Sequence, residues 1–161
     1  MVGFVLTVIS IIVSTCGLLF NYFRYRKEDR FRQSNKITCW VNSVNPKNLS
    51  TDVIVLNQDV QPVYNVFVYL VSNVQEIKGC DFSSIDNQGT RMHDSINVLP
   101  PGKIHITLGF RGAAMGNVHD EVGMYFTTSN GLEWSRQGNG KLTTCMYLKE
   151  LSKIGVFLHH V

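Results

Sequence analysis

The stretch that most constrains this chain runs from Val2 to Phe20, VGFVLTVISIIVSTCGLLF, nineteen residues without a charge. As a helix rising 1.5 Å per residue it is about 28 Å long, close to the ~30 Å hydrocarbon thickness of a bilayer. A cleaved leader is the rival reading, and three features oppose it. No basic residue precedes the run, the run exceeds the usual apolar core of a leader, and no small-x-small cleavage site comes after it. The chain continues instead into Asn21, Tyr22, Phe23, Arg24, Tyr25, Arg26 and Lys27. Aromatic rings suit the headgroup level, and an Arg/Lys cluster marks the cytoplasmic side. The expectation is a single-pass membrane helix over 1–23 and a basic juxtamembrane linker over 24–36. The N-terminus then lies outside and the remaining chain in the cytoplasm, where the Asn48-Leu49-Ser50 sequon meets no glycosylating enzyme.

Gly3, Thr7, Ser10, Ser14, Gly17 and Asn21 succeed one another at spacings of four and three, a seam of small or hydroxylated residues. In lipid, helices associate where small residues let backbones approach and hydroxyls can bond across. A 3.5-residue seam suits left-handed crossing. It therefore predicts a homo-oligomer or a pairing with another membrane protein. The competing reading is that the hydroxyls bond their own i−4 carbonyls and face lipid. Beyond the run, Arg24 and Glu28 are spaced to pair on a helix that continues a turn or two. Arg24, Arg26, Lys27, Arg30 and Arg32 are the residues placed to meet anionic headgroups at the membrane surface.

The net charge of +3 is located entirely there. Residues 24–32 hold five basic and two acidic residues, while the rest of the chain carries ten of each. A nucleic-acid binder spreads a basic stripe over its folded domain. A neutral domain excludes that class of partner and leaves the bilayer, a cytoplasmic protein or a small ligand. Of the four cysteines, Cys16 lies in the apolar run, which leaves Cys39, Cys80 and Cys145 without a C-x-x-C pair or metal-ligand spacing. They read as buried free thiols, and neither a metal nor a cofactor is expected.

From Ile37 onward the patterning has period two. Ile37, Cys39 and Val41 alternate with Thr38, Trp40 and Asn42, and TDVIVLN (51–57) comes after the loop SVNPKN. VYNVFVYLVS (63–72) is apolar on both faces, as a central strand is. A polar stretch over 73–94 reads as a long loop. SINVL (95–99), a Pro100-Pro101-Gly102 turn and KIHITLGF (103–110) come next, then the loop RGAAMGN. EVGMYFTTS (121–129) and LEWSRQ (132–137) flank Asn130-Gly131, a two-residue hairpin signal. Gly138-Asn139-Gly140 then leads to KLTTCMY. Leu148, Leu151 and Ile154 are spaced for a short helix in a C-terminal tail over 147–161. Seven or eight short strands over 37–146 without strand–helix alternation predict a mainly β fold, an immunoglobulin-like β-sandwich. The Cys…Trp…Cys arrangement of antibody domains is absent.

The segments V-I-V-L-N, Q-P-V-Y-N-V-x-V, L-P-P-G and F-T-T-S-N-G-L-E-W-S-R, with G-K-L a few residues on, resemble a group of small, uncharacterised, often membrane-anchored bacterial proteins that end in a β-rich domain. The resemblance covers residues 37–145. It implies a bacterial origin and an anchor-plus-sandwich layout, and it carries no catalytic residues.

Chemistry-bearing clusters are sparse. His119-Asp120-Glu121 with His93-Asp94 is the densest, since carboxylates beside histidines pair in metal and acid–base sites. Neighbours on a strand point to opposite faces, however, and both clusters fall at loop–strand junctions. His159-His160 lacks a third ligand. No G-x-S-x-G, Walker A or G-x-G-x-x-G occurs, and RGAAMGN has no helix after it to make a phosphate cradle. Trp134 and Arg136, two residues apart on one strand face, together with Arg111, form the candidate ligand or partner face. The alternative is that Trp134 packs over the core edge and Arg136 covers it with its stem. The function these features favour is a membrane-anchored, non-enzymatic interaction or scaffold module. A ligand-gated membrane effector of bacterial antiphage defence is the second reading, and a tethered hydrolase a distant third.

Overall fold

The computed structural model describes residues 2–74, 80, 82, 92–109 and 118–153, with the side chains of 2, 4–6, 8, 27, 29 and 30 outside that description. The chain divides into two compact units, Met1–Gln33 and Ser34–Val161. The first is helical: α1 runs unbroken over Val2–Ser34. The segment expected to be a linker from residue 24 is therefore helix almost throughout. Arg24 Nε donates to Glu28 Oε1 at 2.9 Å, the predicted pair, with both side chains exposed. Among the described residues no helix is long and apolar enough to cross a membrane. Val2, Phe4, Val5, Leu6 and Val8, five apolar residues of the uncharged run, lie outside the described side chains.

The second unit is mainly β. Its strands are β1 (Ile37–Asn45), β2 (Ser50–Asn57), β3 (Val63–Ser72), β4 (His93–Leu99), β5 (Gly102–Gly109), β6 (Asp120–Thr127), β7 (Glu133–Arg136) and β8 (Leu142–Thr144). They form two antiparallel sheets, ordered β1-β2-β5 and β4-β3-β6-β7-β8. The 1-2-5 and 3-6-7 neighbours match the order of A-B-E and C-F-G in an immunoglobulin sandwich. Here β4 edges the larger sheet, and β8 extends it.

Every predicted strand is present within a few residues, because alternation of apolar and polar residues is a direct readout of a half-buried strand. The Asn130-Gly131 turn differs from expectation. Thr128 N–H donates to Leu132 O at 2.9 Å, which closes a three-residue loop with Gly131 at φ 77°. That left-handed last position is the one glycine takes in three-residue hairpins. Gln137 N–H to Lys141 O, with Gly140 at φ 83°, repeats the geometry.

The central strand β3 is buried on both faces. Phe67, Tyr69 and Val71 share one face with Tyr125 of β6, and Phe82, Tyr147 and Leu151 pack onto that aromatic surface. Tyr147 and Leu151 belong to α2 (Tyr147–Lys153). Of the segment expected to be a tail, residues 147–153 thus dock on the sandwich and contribute to its core. Ile154, His159 and His160 lie outside the described residues, as do Arg111 with the RGAAMGN loop and most of the 73–94 stretch. On the smaller sheet, one extra residue on β1 between Val41 and Ser43 makes a bulge. The extra residue is Asn42, and its Nδ2 donates to Asp52 Oδ2 at 2.6 Å.

Candidate binding site

A second bulge builds the site. Tyr64 pairs with Thr127 and Phe67 with Tyr125, so β3 uses three steps where β6 uses two. The strain is taken up at Asn65, at φ 52°. A left-handed backbone is uncommon for a residue with a Cβ, and asparagine tolerates it better than most. The bulge frees the Asn65 carbonyl from the β6 ladder, and Tyr147 of α2 supplies the donor, with Oη donating to Asn65 O at 2.6 Å. With that proton engaged, the phenol oxygen can only accept from Thr127 Oγ1, 2.9 Å away. The polar chain therefore runs Thr127 to Tyr147 to Asn65. Burial pushes the Tyr147 phenol well above its ordinary range.

Beside this chain lies a cavity of about 400 Å³, lined by Tyr64, Asn65, Thr127, Thr128, Ser129, Gly131 and Leu148. Its floor is the bulge, one wall the three-residue loop after β6 and another the first turn of α2. Glu133 Oε2 accepts from Leu148 N–H at 3.0 Å and so fixes the start of that turn. The Thr128 hydroxyl is shared between Asn130 Oδ1 and Leu132 O, at 2.6 and 2.9 Å. Asn65 Oδ1 is buried and has no hydrogen-bond partner among the described residues. Such a group calls for an explanation, and a buried amide at a strained backbone position beside a cavity is where ligand sites concentrate.

Two of the three residues expected to form a ligand face, Trp134 and Arg136, lie away from this cavity, and Arg111 lies outside the described residues. Trp134 is only 1% exposed and belongs to the core, so it cannot stack on a ligand. Arg136 donates from Nη2 to Ser34 O at 3.0 Å and from Nη1 to Gly140 O at 3.2 Å. Half-buried, its guanidinium is engaged within the domain rather than held open. Its burial makes it a weaker base than usual, and it sits near the Cys39 thiol, which burial pushes up to about 12.

The cysteines also depart from expectation: Cys80 and Cys145 are joined in a disulfide, with Cα atoms 6.3 Å apart. Only Cys16 and Cys39 are free. His93 pairs with Tyr69 and Asp120 with Ser72, on opposite sides of β3. His119 Nε2 lies 3.7 Å from Glu121 Oε1, the histidine exposed and the carboxylate half-buried. Among the described residues no three His, Cys, Asp or Glu side chains group as metal ligands.

On the helix, Gly3, Thr7, Ser10, Ser14, Gly17 and Asn21 are all exposed, and a Cβ at Gly3 or Gly17 would meet nothing within 4 Å. Thr7 Oγ1 donates to Gly3 O at 2.9 Å, the internal i−4 bond that the competing reading of the seam requires. Arg24, Arg26 and Arg32 are exposed along the helix, and the side chains of Lys27 and Arg30 lie outside the description.

Sequence reasoning missed the Asn65–Tyr147–Thr127 chain and the cysteine pair. The available signal was Asn65 itself, an amide inside the otherwise apolar VYNVFVYL. No family model matches the chain, and no curated protein matches it.

Proposed function

We propose that this protein is a membrane-anchored binding module in which α1 is a single-pass anchor and the sandwich captures a partner or small ligand in the cytoplasm. The observation that carries the reading is the continuity of α1: one helix of 33 residues contains both the uncharged run and the basic patch. A helix whose apolar residues face outward needs an apolar surrounding. Arg24, Arg26, Lys27, Arg30 and Arg32 toward its end favour the cytoplasmic side for the sandwich. The Gly3–Asn21 seam supports self-association through the helix. The immunoglobulin-like strand order supports a display scaffold. Binding rather than bond-making is favoured by the cavity lining, which among the described residues holds an amide, hydroxyls, glycine and leucine but no carboxylate, histidine, lysine or cysteine.

The cavity also favours a second reading, a ligand-gated membrane effector such as those of bacterial antiphage defence, with the sandwich as sensor. The test is purification of the full chain in mild detergent with mass spectrometry of what accompanies it, beside a Ser10→Leu/Gly17→Leu variant. A defined oligomer or stoichiometric partner lost in the variant supports the module. A lone monomer unchanged by the variant removes the seam from the account and leaves the effector reading without an assembly mechanism.

A further inference from the structure

Cys80 and Cys145 are separated by 65 residues in sequence, yet their Cα atoms lie 6.3 Å apart, within the range a disulfide spans. Both are partly exposed and pack against the aromatic cluster that contains Phe82, Tyr147 and Leu151. Cys145 is tied to the site on its other side. Its N–H donates to Glu133 O at 3.2 Å, its carbonyl accepts from Tyr147 N–H at 3.0 Å, and Glu133 holds Leu148. The link therefore fastens the start of α2, which supplies Tyr147 to Asn65 and Leu148 to the cavity wall.

We propose that Cys80 and Cys145 form a reversible thiol–disulfide switch that sets how firmly α2 closes the cavity. The proposal rests on the cytoplasmic placement of the sandwich, because a reducing compartment keeps thiols reduced and the disulfides found there are mostly transient or redox-sensing. Partial exposure of both residues gives attacking thiols and oxidants the access that a buried structural link denies them.

The oxidant class is a hydroperoxide. One thiolate attacks the peroxide O–O bond and becomes a sulfenic acid as water or alcohol departs. The second thiolate attacks that sulfur, the S–O bond breaks, and a second water leaves. Two thiols are oxidised by two electrons and one peroxide is reduced. A cellular dithiol reverses the step by exchange, leaving as its own disulfide. Cys39, also half-buried, is the internal contrast: its Sγ donates to Val122 O at 3.7 Å, and desolvation holds that thiol protonated.

The test uses cells expressing the full chain, with Cys80→Ser and Cys145→Ser variants. Thiols are trapped in acid before and after a hydrogen peroxide pulse, then alkylated with a polymer-linked maleimide for a gel shift. A C-terminal compartment reporter is read in parallel. The linked form is expected to rise at least about tenfold on the pulse, to decay afterwards and to vanish in both variants. Hydrogen exchange of the 147–153 amides in purified full chain is expected to run at least about tenfold faster after dithiol reduction.

A link that never forms, with the reporter in the cytoplasm, overturns the switch and leaves the placement standing. A permanent link with the reporter on the oxidising side overturns the placement and the switch with it, and a permanent link in the cytoplasm overturns the switch alone. Exchange unaffected by reduction overturns the coupling to α2.

Discussion

The two units use the same residue types in opposite ways. In α1, Ile11, Leu18 and Phe20 are 60%, 72% and 68% exposed, whereas Val53 and Val66 of the sandwich are fully buried. The sandwich buries an apolar core by itself, with two sheets and an aromatic face sealed by α2 and Phe82. The helix does not, and its exposed apolar surface is far beyond the scattered hydrophobics of an ordinary protein surface. One unit thus carries the buried core, and the other leaves its apolar residues uncovered. Substitutions in the two units should therefore fail in different assays.

The largest expected effect is on the sandwich. Trp134→Ala removes a buried ring and should lower unfolding stability by about 3–5 kcal/mol. Denaturant unfolding followed by circular dichroism measures this, and membrane association should be unchanged. A loss below about 1 kcal/mol would mean that the indole is not a core side chain. Tyr147→Phe is the intermediate case. It keeps the ring and leaves the Asn65 carbonyl without its donor, a loss of about 1–3 kcal/mol. Since that carbonyl lies in the cavity floor, the variant should also speed hydrogen exchange at Asn65 and Val66 more than elsewhere in β3.

The smallest effect is electrostatic. The hydrogen bond from Asn42, with the His105 ring 3.3 Å away, holds the Asp52 carboxyl below the usual carboxylate range. Its unfolded value is about 3.9, so between the two values the unfolded chain binds more protons. The contribution is complete above the unfolded value and is lost as pH falls through the folded one. Because the pair is exposed the effect is small: Asp52→Asn should lower stability slightly at neutral pH, flatten the acid limb and cost nothing below the folded value. A cost in acid as large as that at pH 7 would contradict the assignment.

Most of the sandwich was legible in the sequence because strand alternation is local. Val63–Ser72 was readable as a central strand from its two apolar faces, and its burial comes from a neighbour on each edge and an aromatic cover. The cover itself was less legible: Leu148 and Leu151 gave helical spacing, but nothing local says that Tyr147 reaches Asn65, which is 82 residues away in sequence. Cys80 and Cys145 were unreadable as a pair for the same reason, since only the tertiary fold brings them together. Trp134 and Arg136 were ambiguous between display and packing. That choice depends on what lies across the sheet, and the structure decides it through the burial of the indole and the Ser34 and Gly140 carbonyls. The two-residue reading of Asn130-Gly131 failed by a single position, because Ser129 joins the loop and moves glycine to its last residue.

Whether α1 holds this fold in a bilayer can be read from extraction of cell membranes with alkaline carbonate. The full chain should stay in the membrane pellet, and a chain lacking residues 2–20 should move to the supernatant with its sandwich folded. Release of the full chain into the supernatant would contradict the anchor and leave α1 as a helix that buries its apolar residues against protein.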